Sequence, residues 1–198
     1  MTLIEPVATP YYCAKHGKIC KPLFTILNWW ERYSKDTLVR LATFNKLRTN
    51  TFQYCLVGDS RNIDIIEKLQ SKNKELSDLV QRKKIDGIFS SPPYVGLINY
   101  HEQHAYAYDL FGFERNDELE IGPLFKGKGI EARESYVQGI TDVLINCKRY
   151  LKPNYSIFLV ANDKYNLYPM IAEKYGMKIV NCYKRPVLNR SEKDKGDY

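Results

Sequence analysis

Apolar residues at helical spacing mark the first regular element of the chain. Between Pro22 and Lys46 they recur every three or four positions, a period that predicts an amphipathic helix. A second helix-start signal near residues 34–36 predicts a break within it. Residues 1–20 show no sustained period, so we expect an irregular arm there. The apolar stripe consists of Leu23, Ile26, Leu27, Trp30, Tyr33, Leu38, Leu41 and Phe44.

Beyond residue 50, short apolar runs alternate with helical patterns. The apolar runs predict four strands, at 52–57, 86–90, 156–161 and 177–187. We expect the run at 86–90 to be a short buried strand. The intervening text predicts a helix or helix-loop-helix over 63–84, a helix over about 131–151 and a short helix over 166–176.

This alternation of strands and helices predicts a parallel sheet with right-handed crossovers, the doubly wound α/β layout. The chain then divides into an N-terminal arm and helical segment, residues 1–50, and an α/β domain, residues 51–198. We see no internal repeat.

Charge and cysteine usage narrow the class of protein. Lys and Arg total 30 against 23 Asp and Glu, a net charge of +7, which favours a polyanionic partner because Lys and Arg contacts to phosphates release counterions. The five cysteines are scattered and odd in number, which is typical of reduced thiols. No apolar run approaches the roughly 18 residues that span a bilayer, and no secretion signal is recognisable. We therefore expect a cytoplasmic protein.

Two predicted strands end in unusual sequences, VGDSR at 57–61 and SSPPY at 90–94. Ligands of doubly wound sheets bind outside the carboxyl ends of the strands. Pro92 and Pro93 each fix φ near −65° and restrict the preceding residue to extended geometry, so Ser91 and Tyr94 are held at fixed offsets. The alternative is an ordinary proline turn with a surface tyrosine.

The SPPY turn, the strand before it, the upstream GDS and the aromatic run YVGLINYHEQHAYAYDLFGF after it together resemble motif IV of the DNA amino-methyltransferases of restriction-modification systems. The resemblance extends from about residue 50 to residue 198. It implies a Rossmann-like fold and transfer of a methyl group from S-adenosylmethionine to the exocyclic N4 of cytosine in DNA. Adenine-N6 methylation and a noncatalytic DNA-binding subunit are the alternatives.

The resemblance also implies roles for individual residues. Ser91 and the Pro92 carbonyl would accept hydrogen bonds from the target amine, Pro93 would stiffen the turn, and Tyr94 would stack on a base flipped out of the duplex. The positions implied for the cofactor are Gly58, Asp59, Ser60 and Ser91. For Asp59 or Ser60 the alternative is capping of a helix that begins at Asn62.

Residues after the turn are candidates for the base pocket and for DNA contacts. We expect a DNA-facing wall at Tyr100, His101 and His104, and phosphate contacts from Lys184, Arg185, Arg190 and the Lys126–Lys128 loop. The alternatives are a helix that packs His104, Tyr108 and Phe111 on one face, and solvated charged loops.

No metal site is predicted. Cys13, His16 and Cys20 lie close together in sequence, but zinc needs a fourth ligand, and plain thiols are the favoured interpretation.

The chain lacks one feature of the family that it resembles. No glycine-rich loop of the form F-x-G-x-G follows a strand, and the complete fold has more strands than the four predicted. We therefore expect the catalytic half of a methyltransferase. A second chain or a missing segment that carries the glycine-rich cofactor motif would be its partner.

Overall fold

A computed structural model describes residues 26–184. The predictions for the N-terminal arm, for Cys13, His16 and Cys20, and for Arg185 and Arg190 lie outside the described residues. The chain separates into two compact units between Gln53 and Tyr54. The limits of 1–50 and 51–198 inferred from sequence stay a prediction.

The first unit contains helix α1, Ile26–Leu47, which is continuous over 22 residues. The predicted break near 34–36 is wrong, because interactions one turn apart bridge this segment. Lys35 pairs with Glu31 at 2.6 Å and Arg40 with Asp36 at 2.8 Å. The Thr37 hydroxyl donates a hydrogen bond to the Tyr33 carbonyl at 2.8 Å. Opposite charges four residues apart stabilise a helix, and no residue of α1 is buried.

The second unit contains six helices, two strands and two 3₁₀ turns among its described residues. The helices are α2 (Ile65–Gln70), α3 (Lys74–Lys83), α4 (Tyr100–Gln103), α5 (Ala105–Phe111), α6 (Ile130–Lys148) and α7 (Tyr168–Tyr175), and the strands are β1 (Ile85–Ser90) and β2 (Leu151–Leu159). The 3₁₀ turns are Asp117–Leu119 and Leu124–Lys126. The predicted helix-loop-helix and the two later helices are confirmed.

Side-chain caps fix where α2 and α3 begin. The Asp64 carboxylate accepts a hydrogen bond from the Glu67 amide at 3.0 Å, and the Asn73 side chain accepts one from the Leu76 amide at 3.0 Å. Each bond satisfies an amide that has no partner inside the helix. The capping residue of α2 is therefore Asp64, and the alternative in which Asp59 or Ser60 caps this helix is wrong.

Strands β1 and β2 run parallel, with Gly87 opposite Ser156 and Ser90 opposite Leu159. A Cβ at Gly87 would lie 2.3 Å from the Ser156 carbonyl oxygen, so only glycine fits at this close approach. The parallel pairing is confirmed, and the fold is a mixed α/β arrangement with a small parallel sheet. The predicted burial of 86–90 is wrong on one face, because Phe89 is 77% exposed.

The strands predicted at 52–57 and 177–187 are wrong for the residues that the structure describes. Residues 52–57 and 177–184 join no ladder, and Val57 and Val180 are 86% and 88% exposed. β-propensity reflects how well a side chain fits between neighbours in a sheet. Without a neighbouring strand, these β-prone segments stay irregular.

The core lies between α6, α7 and one face of the sheet. Its buried side chains are Tyr136, Val137, Ile140, Leu144, Leu167, Ile171 and Tyr175. Ile88 of β1 and Ile157 of β2 pack against this cluster. Among residues 26–184, no helix has the length and the apolar character that a membrane crossing requires.

Candidate active site

The SPPY turn begins at Ser91, directly after β1, and three backbone carbonyls in and beside it are fixed. The Ser90 carbonyl accepts a hydrogen bond from the Val160 amide at 2.9 Å, and the Tyr94 carbonyl accepts one from the Leu97 amide at 3.3 Å. The Pro93 carbonyl accepts a hydrogen bond from the Tyr136 hydroxyl at 2.8 Å. Together with the fixed φ of the two prolines, these bonds hold the turn in one shape.

Other oxygens of the same turn have no partner within residues 26–184. No hydrogen bond reaches the carbonyls of Ser91 and Pro92 or the Ser91 hydroxyl, and Ser91 is exposed. Carbonyl and hydroxyl oxygens each accept hydrogen bonds from amines. The turn therefore presents neighbouring acceptors at the carboxyl end of a parallel strand.

A buried tyrosine and a half-buried tyrosine together support the turn. Tyr136 of α6 is 2% exposed, and its hydroxyl oxygen lies 3.0 Å from that of Tyr168, the first residue of α7. Burial raises the pKa of both phenols, so they stay protonated and able to donate near neutral pH. The Asp163 carboxylate in turn accepts hydrogen bonds from the Leu167 and Tyr168 amides, at 2.6 and 3.3 Å.

The sequence analysis placed Tyr136 only within the helix predicted over about 131–151 and missed it as a support of the turn. The available signal was chemical, because a buried tyrosine hydroxyl usually finds a hydrogen-bond partner. Which carbonyl it reaches, 43 residues away along the chain, follows from the tertiary structure alone.

Gly96 allows the Lys126–Lys128 loop to approach the chain just after the SPPY turn. Gly96 is buried with φ +62°, and its amide donates a hydrogen bond to the Gly122 carbonyl at 2.8 Å. A Cβ at this position would lie 2.5 Å from both the Gly127 carbonyl oxygen and the Lys128 side chain. The Lys128 side chain therefore packs against Gly96, which follows Tyr94 by two residues in sequence. Phosphate contact by this loop stays a prediction.

The GDSR turn, residues 58–61, differs from the SPPY turn because its carboxylate, on Asp59, is already engaged. The Arg61 guanidinium donates hydrogen bonds to both oxygens of Asp59, the closest at 2.6 Å. The side-chain hydrogen bond from Arg61 is the main cause that lowers the pKa of Asp59. Arg61 also donates to the Leu119 carbonyl at 3.2 Å. A cofactor contact by Gly58, Asp59 or Ser60 stays a prediction.

Helix α6 holds both turns, at positions far apart along its axis. The Asn146 side chain, 8% exposed, donates hydrogen bonds to the Ser60 and Ile63 carbonyls at 3.1 and 3.0 Å. Asn146 lies ten residues after Tyr136, which corresponds to about 15 Å along a helix. Within the described part of the chain, no hydrogen bond or ion pair joins the GDSR turn directly to the SPPY turn.

The residues predicted for the base pocket lie on two short helices. The Tyr100 amide donates a hydrogen bond to Glu120 at 2.6 Å, and the His101 Nδ1 lies in hydrogen-bond contact with the Tyr108 hydroxyl. His104 separates α4 from α5 and is exposed. The alternative in which His104, Tyr108 and Phe111 form one packed face is wrong, because His104 and Phe111 are exposed. A role in base binding stays a prediction.

Other candidate positions contribute little to this site. Lys184 is exposed. No group of three or more potential metal ligands occurs among the described residues. A groove of about 380 Å³ contains none of the predicted site residues. Its lining is Glu134, Ser135, Val137, Gln138, Met170 and Lys174.

The chain is similar over its whole length to a curated protein. It is 54% identical over 197 residues to the Type II methyltransferase M.MjaII of Methanocaldococcus jannaschii, in a match that covers 100% of this chain and 37% of that protein. The chain thus spans about 37% of the length of this relative. No protein-family model and no solved structure matches it. The resemblance to restriction-modification methyltransferases is confirmed at the level of sequence.

Proposed function

We propose, from the relationship of the whole chain to a Type II methyltransferase, that it forms the catalytic part of a DNA methyltransferase of a restriction-modification system. The substrate is an exocyclic amine of a DNA base, and the methyl donor is S-adenosylmethionine. The parallel strands and their helices would then be part of a Rossmann-like domain. Such an enzyme would act in the cytoplasm, where its DNA lies. The net charge of +7 suits a DNA substrate.

One observation carries the catalytic part of the proposal. The SPPY turn is fixed through the Pro93 carbonyl, whereas the Ser91 hydroxyl and the Ser91 and Pro92 carbonyls have no partner within residues 26–184. An amino group has two N–H donors that can bind two acceptors at once. A rigid pair of acceptors beside an exposed position would therefore orient an amine.

The chemistry requires such orientation because an exocyclic amine is a weak nucleophile. Its lone pair is delocalised into the base, and its nitrogen lies inside the duplex, so the base must be flipped out at a cost of about a few kcal/mol. Hydrogen bonds to Ser91 and to the Pro92 carbonyl would favour a pyramidal nitrogen with a localised lone pair. Stacking on Tyr94 would hold the base. Most of the acceleration would come from positioning.

Cytosine N4 is the proposed target atom, because serine in the first position of the turn resembles the cytosine enzymes of the family more than the adenine enzymes. The test is treatment of DNA with this chain together with a polypeptide that carries the glycine-rich motif, followed by enzymatic digestion and mass identification of the modified nucleoside. N4-methylcytosine is the expected product. N6-methyladenine would replace the cytosine assignment, and absence of both would refute the methylation itself.

The described residues do not form a complete site for S-adenosylmethionine. Both carboxylate oxygens of Asp59 are engaged by Arg61, and no glycine-rich loop follows β1 or β2. The donor would supply an electrophilic methyl group in the complete enzyme. Its binding would depend on a further segment with the glycine-rich motif, whereas this chain would bind and orient the base.

The incomplete donor site also favours a second candidate function, a DNA-binding subunit that is inactive alone. Calorimetric titration with S-adenosylmethionine separates the two cases. We expect no binding to the chain by itself and binding once a polypeptide with the glycine-rich motif is added. Continued absence of binding and of methylation in that mixture would support the noncatalytic subunit.

A further inference from the structure

Among residues 54–184, the two-stranded sheet has one covered face and one bare face. Successive residues of a strand point to opposite faces, so Ile88 and Ile157 face the core, whereas Phe89 and Phe158 point away from it. These two phenylalanines are 77% and 48% exposed. Their rings are stacked, with centroids 5.3 Å apart and an interplanar angle of 5°. Val160, just after β2, is 44% exposed. We name Phe89, Phe158 and Val160 the bare sheet face.

An exposed apolar face is unusual for parallel strands. Parallel sheets occur almost only where layers cover both faces, and an isolated pair of strands is marginally stable in water. Exposed apolar patches of this kind mark interaction sites. The bare sheet face therefore indicates a covering layer that residues 54–184 do not provide.

Two β-prone segments outside the sheet point to the same conclusion. The β-prone segments 54–57 and 177–183 join no ladder, and they expose Val57, Ile179 and Val180. Strand pairing requires backbone donors and acceptors from a neighbouring strand. A helix such as α1 could cover aromatic rings, but its backbone groups are used internally and cannot pair with these segments.

We infer that the bare sheet face is the docking surface for the polypeptide that corresponds to the part of M.MjaII outside the matched region. This chain covers 37% of that relative, so the remainder is long enough to supply both a covering helix and pairing strands. The inference rests on the proposed function, which requires a segment with the cofactor loop. It adds the surface of this chain on which that segment docks.

The test measures association without DNA or S-adenosylmethionine, so its outcome is independent of methylation. The chain is titrated with a separate polypeptide that contains the residues of M.MjaII outside the matched region. The double variant Phe89→Ser/Phe158→Ser should bind about thirtyfold more weakly than the unsubstituted chain, as expected for loss of a central aromatic anchor. Association of the unsubstituted chain should also slow amide hydrogen exchange in 54–57 and 177–183.

The chain offers a matched control. Phe111 and Phe113 are 64% and 63% exposed and form a similar pair, with centroids 5.6 Å apart, outside the sheet. Phe111→Ser/Phe113→Ser should change the dissociation constant by less than about twofold. Absence of association, or equal weakening by both double variants, overturns the inference.

Other possible occupants of the bare sheet face predict different results in measurements on the same protein variants. A dimer of the chain alone that Phe89→Ser/Phe158→Ser dissociates would assign the surface to a second copy. If amide hydrogen exchange in α1 of the isolated chain is slow and the same substitutions accelerate it, the bare sheet face would be assigned to α1. Either result overturns the inference. The exchange measurement on the unsubstituted chain keeps the inference testable even if a variant folds poorly.

Discussion

The SPPY turn and the GDSR turn are each held by one buried polar side chain of the same helix, yet they differ in what they leave free. Tyr136 fixes the Pro93 carbonyl, and Asn146 fixes the Ser60 and Ile63 carbonyls. Within residues 26–184, the Ser91 and Pro92 carbonyls and the Ser91 hydroxyl of the SPPY turn have no hydrogen-bond partner. In the GDSR turn, the carboxylate of Asp59 accepts hydrogen bonds from the Arg61 guanidinium.

Under the proposed function, this difference separates a turn that would bind the target amine from a turn whose carboxylate already has a protein partner. Unpaired acceptors at a rigid, exposed position lose little on binding an amine, because no protein bond must be broken first. At Asp59, a ligand would have to displace a charge-assisted, multidentate interaction, which is among the stronger hydrogen-bonded pairs. Substitutions should therefore affect mainly activity in the first turn and mainly stability in the second.

The largest effect is expected from Ser91→Ala in the complete enzyme. Loss of one positioned hydrogen-bonding group should reduce the single-turnover methylation rate about 100-fold, while DNA affinity changes less than about threefold, because affinity comes mostly from phosphate contacts. The control is Ser135→Ala, an exposed serine of α6, which should leave the rate unchanged. Similar small effects of the two substitutions would contradict the ligand-binding role of the turn.

Asn146→Ala should produce the largest loss of stability. It removes the partner of two backbone carbonyls, and unsatisfied buried groups cost about 1–3 kcal/mol each. We expect a decrease of about 2 kcal/mol in the free energy of unfolding, measured by urea denaturation. Asn154→Ala, at an exposed position of β2, is the control, with an expected change below about 0.5 kcal/mol. Equal losses would show that Asn146 does not fasten the GDSR turn.

Tyr136→Phe tests how the SPPY turn is held. Removal of the hydroxyl that binds the Pro93 carbonyl should destabilise the fold by about 1 kcal/mol. A looser turn should also lower kcat about tenfold with little change in KM for DNA, because transition-state geometry is affected more than ground-state binding.

Tyr168→Phe provides the comparison for this prediction. It keeps the bond from Tyr136 to Pro93 and removes only the second hydroxyl, so its effect on kcat should be smaller. If the two substitutions lower kcat equally, or if both act only on stability, Tyr136 does not position the turn.

The smallest effect concerns the pH dependence of the GDSR turn. Arg61 lowers the pKa of Asp59, so the pair stabilises the fold above the ordinary Asp pKa of about 4, and this contribution is lost as the pH falls through the lowered pKa. Arg61→Gln should reduce the unfolding free energy by about 1 kcal/mol at pH 7, and the difference from the unsubstituted chain should shrink below about pH 4. A difference that does not change with pH would contradict this account.

A prediction from sequence was right where the interactions that form the element lie within the segment itself. The helices at 65–83, 130–148 and 168–175 were predictable, because the 3.6-residue period and the turn signals lie within each segment. The segments 52–57 and 177–184 have equally good strand composition but form no ladder. A strand depends on a partner that can be distant in sequence or lie on another polypeptide.

The sequence by itself determined the stiff SPPY turn at the end of a strand, the alternation of strands and helices, and the relationship to methyltransferases. Only the tertiary structure decided that Tyr136 donates a hydrogen bond to the Pro93 carbonyl and that Arg61 pairs with Asp59. It also decided that, among residues 54–184, one face of the sheet is bare. Proline restricts its own backbone through covalent geometry, which is written into the sequence. Whether an oxygen is free or bound depends on which distant residues pack beside it.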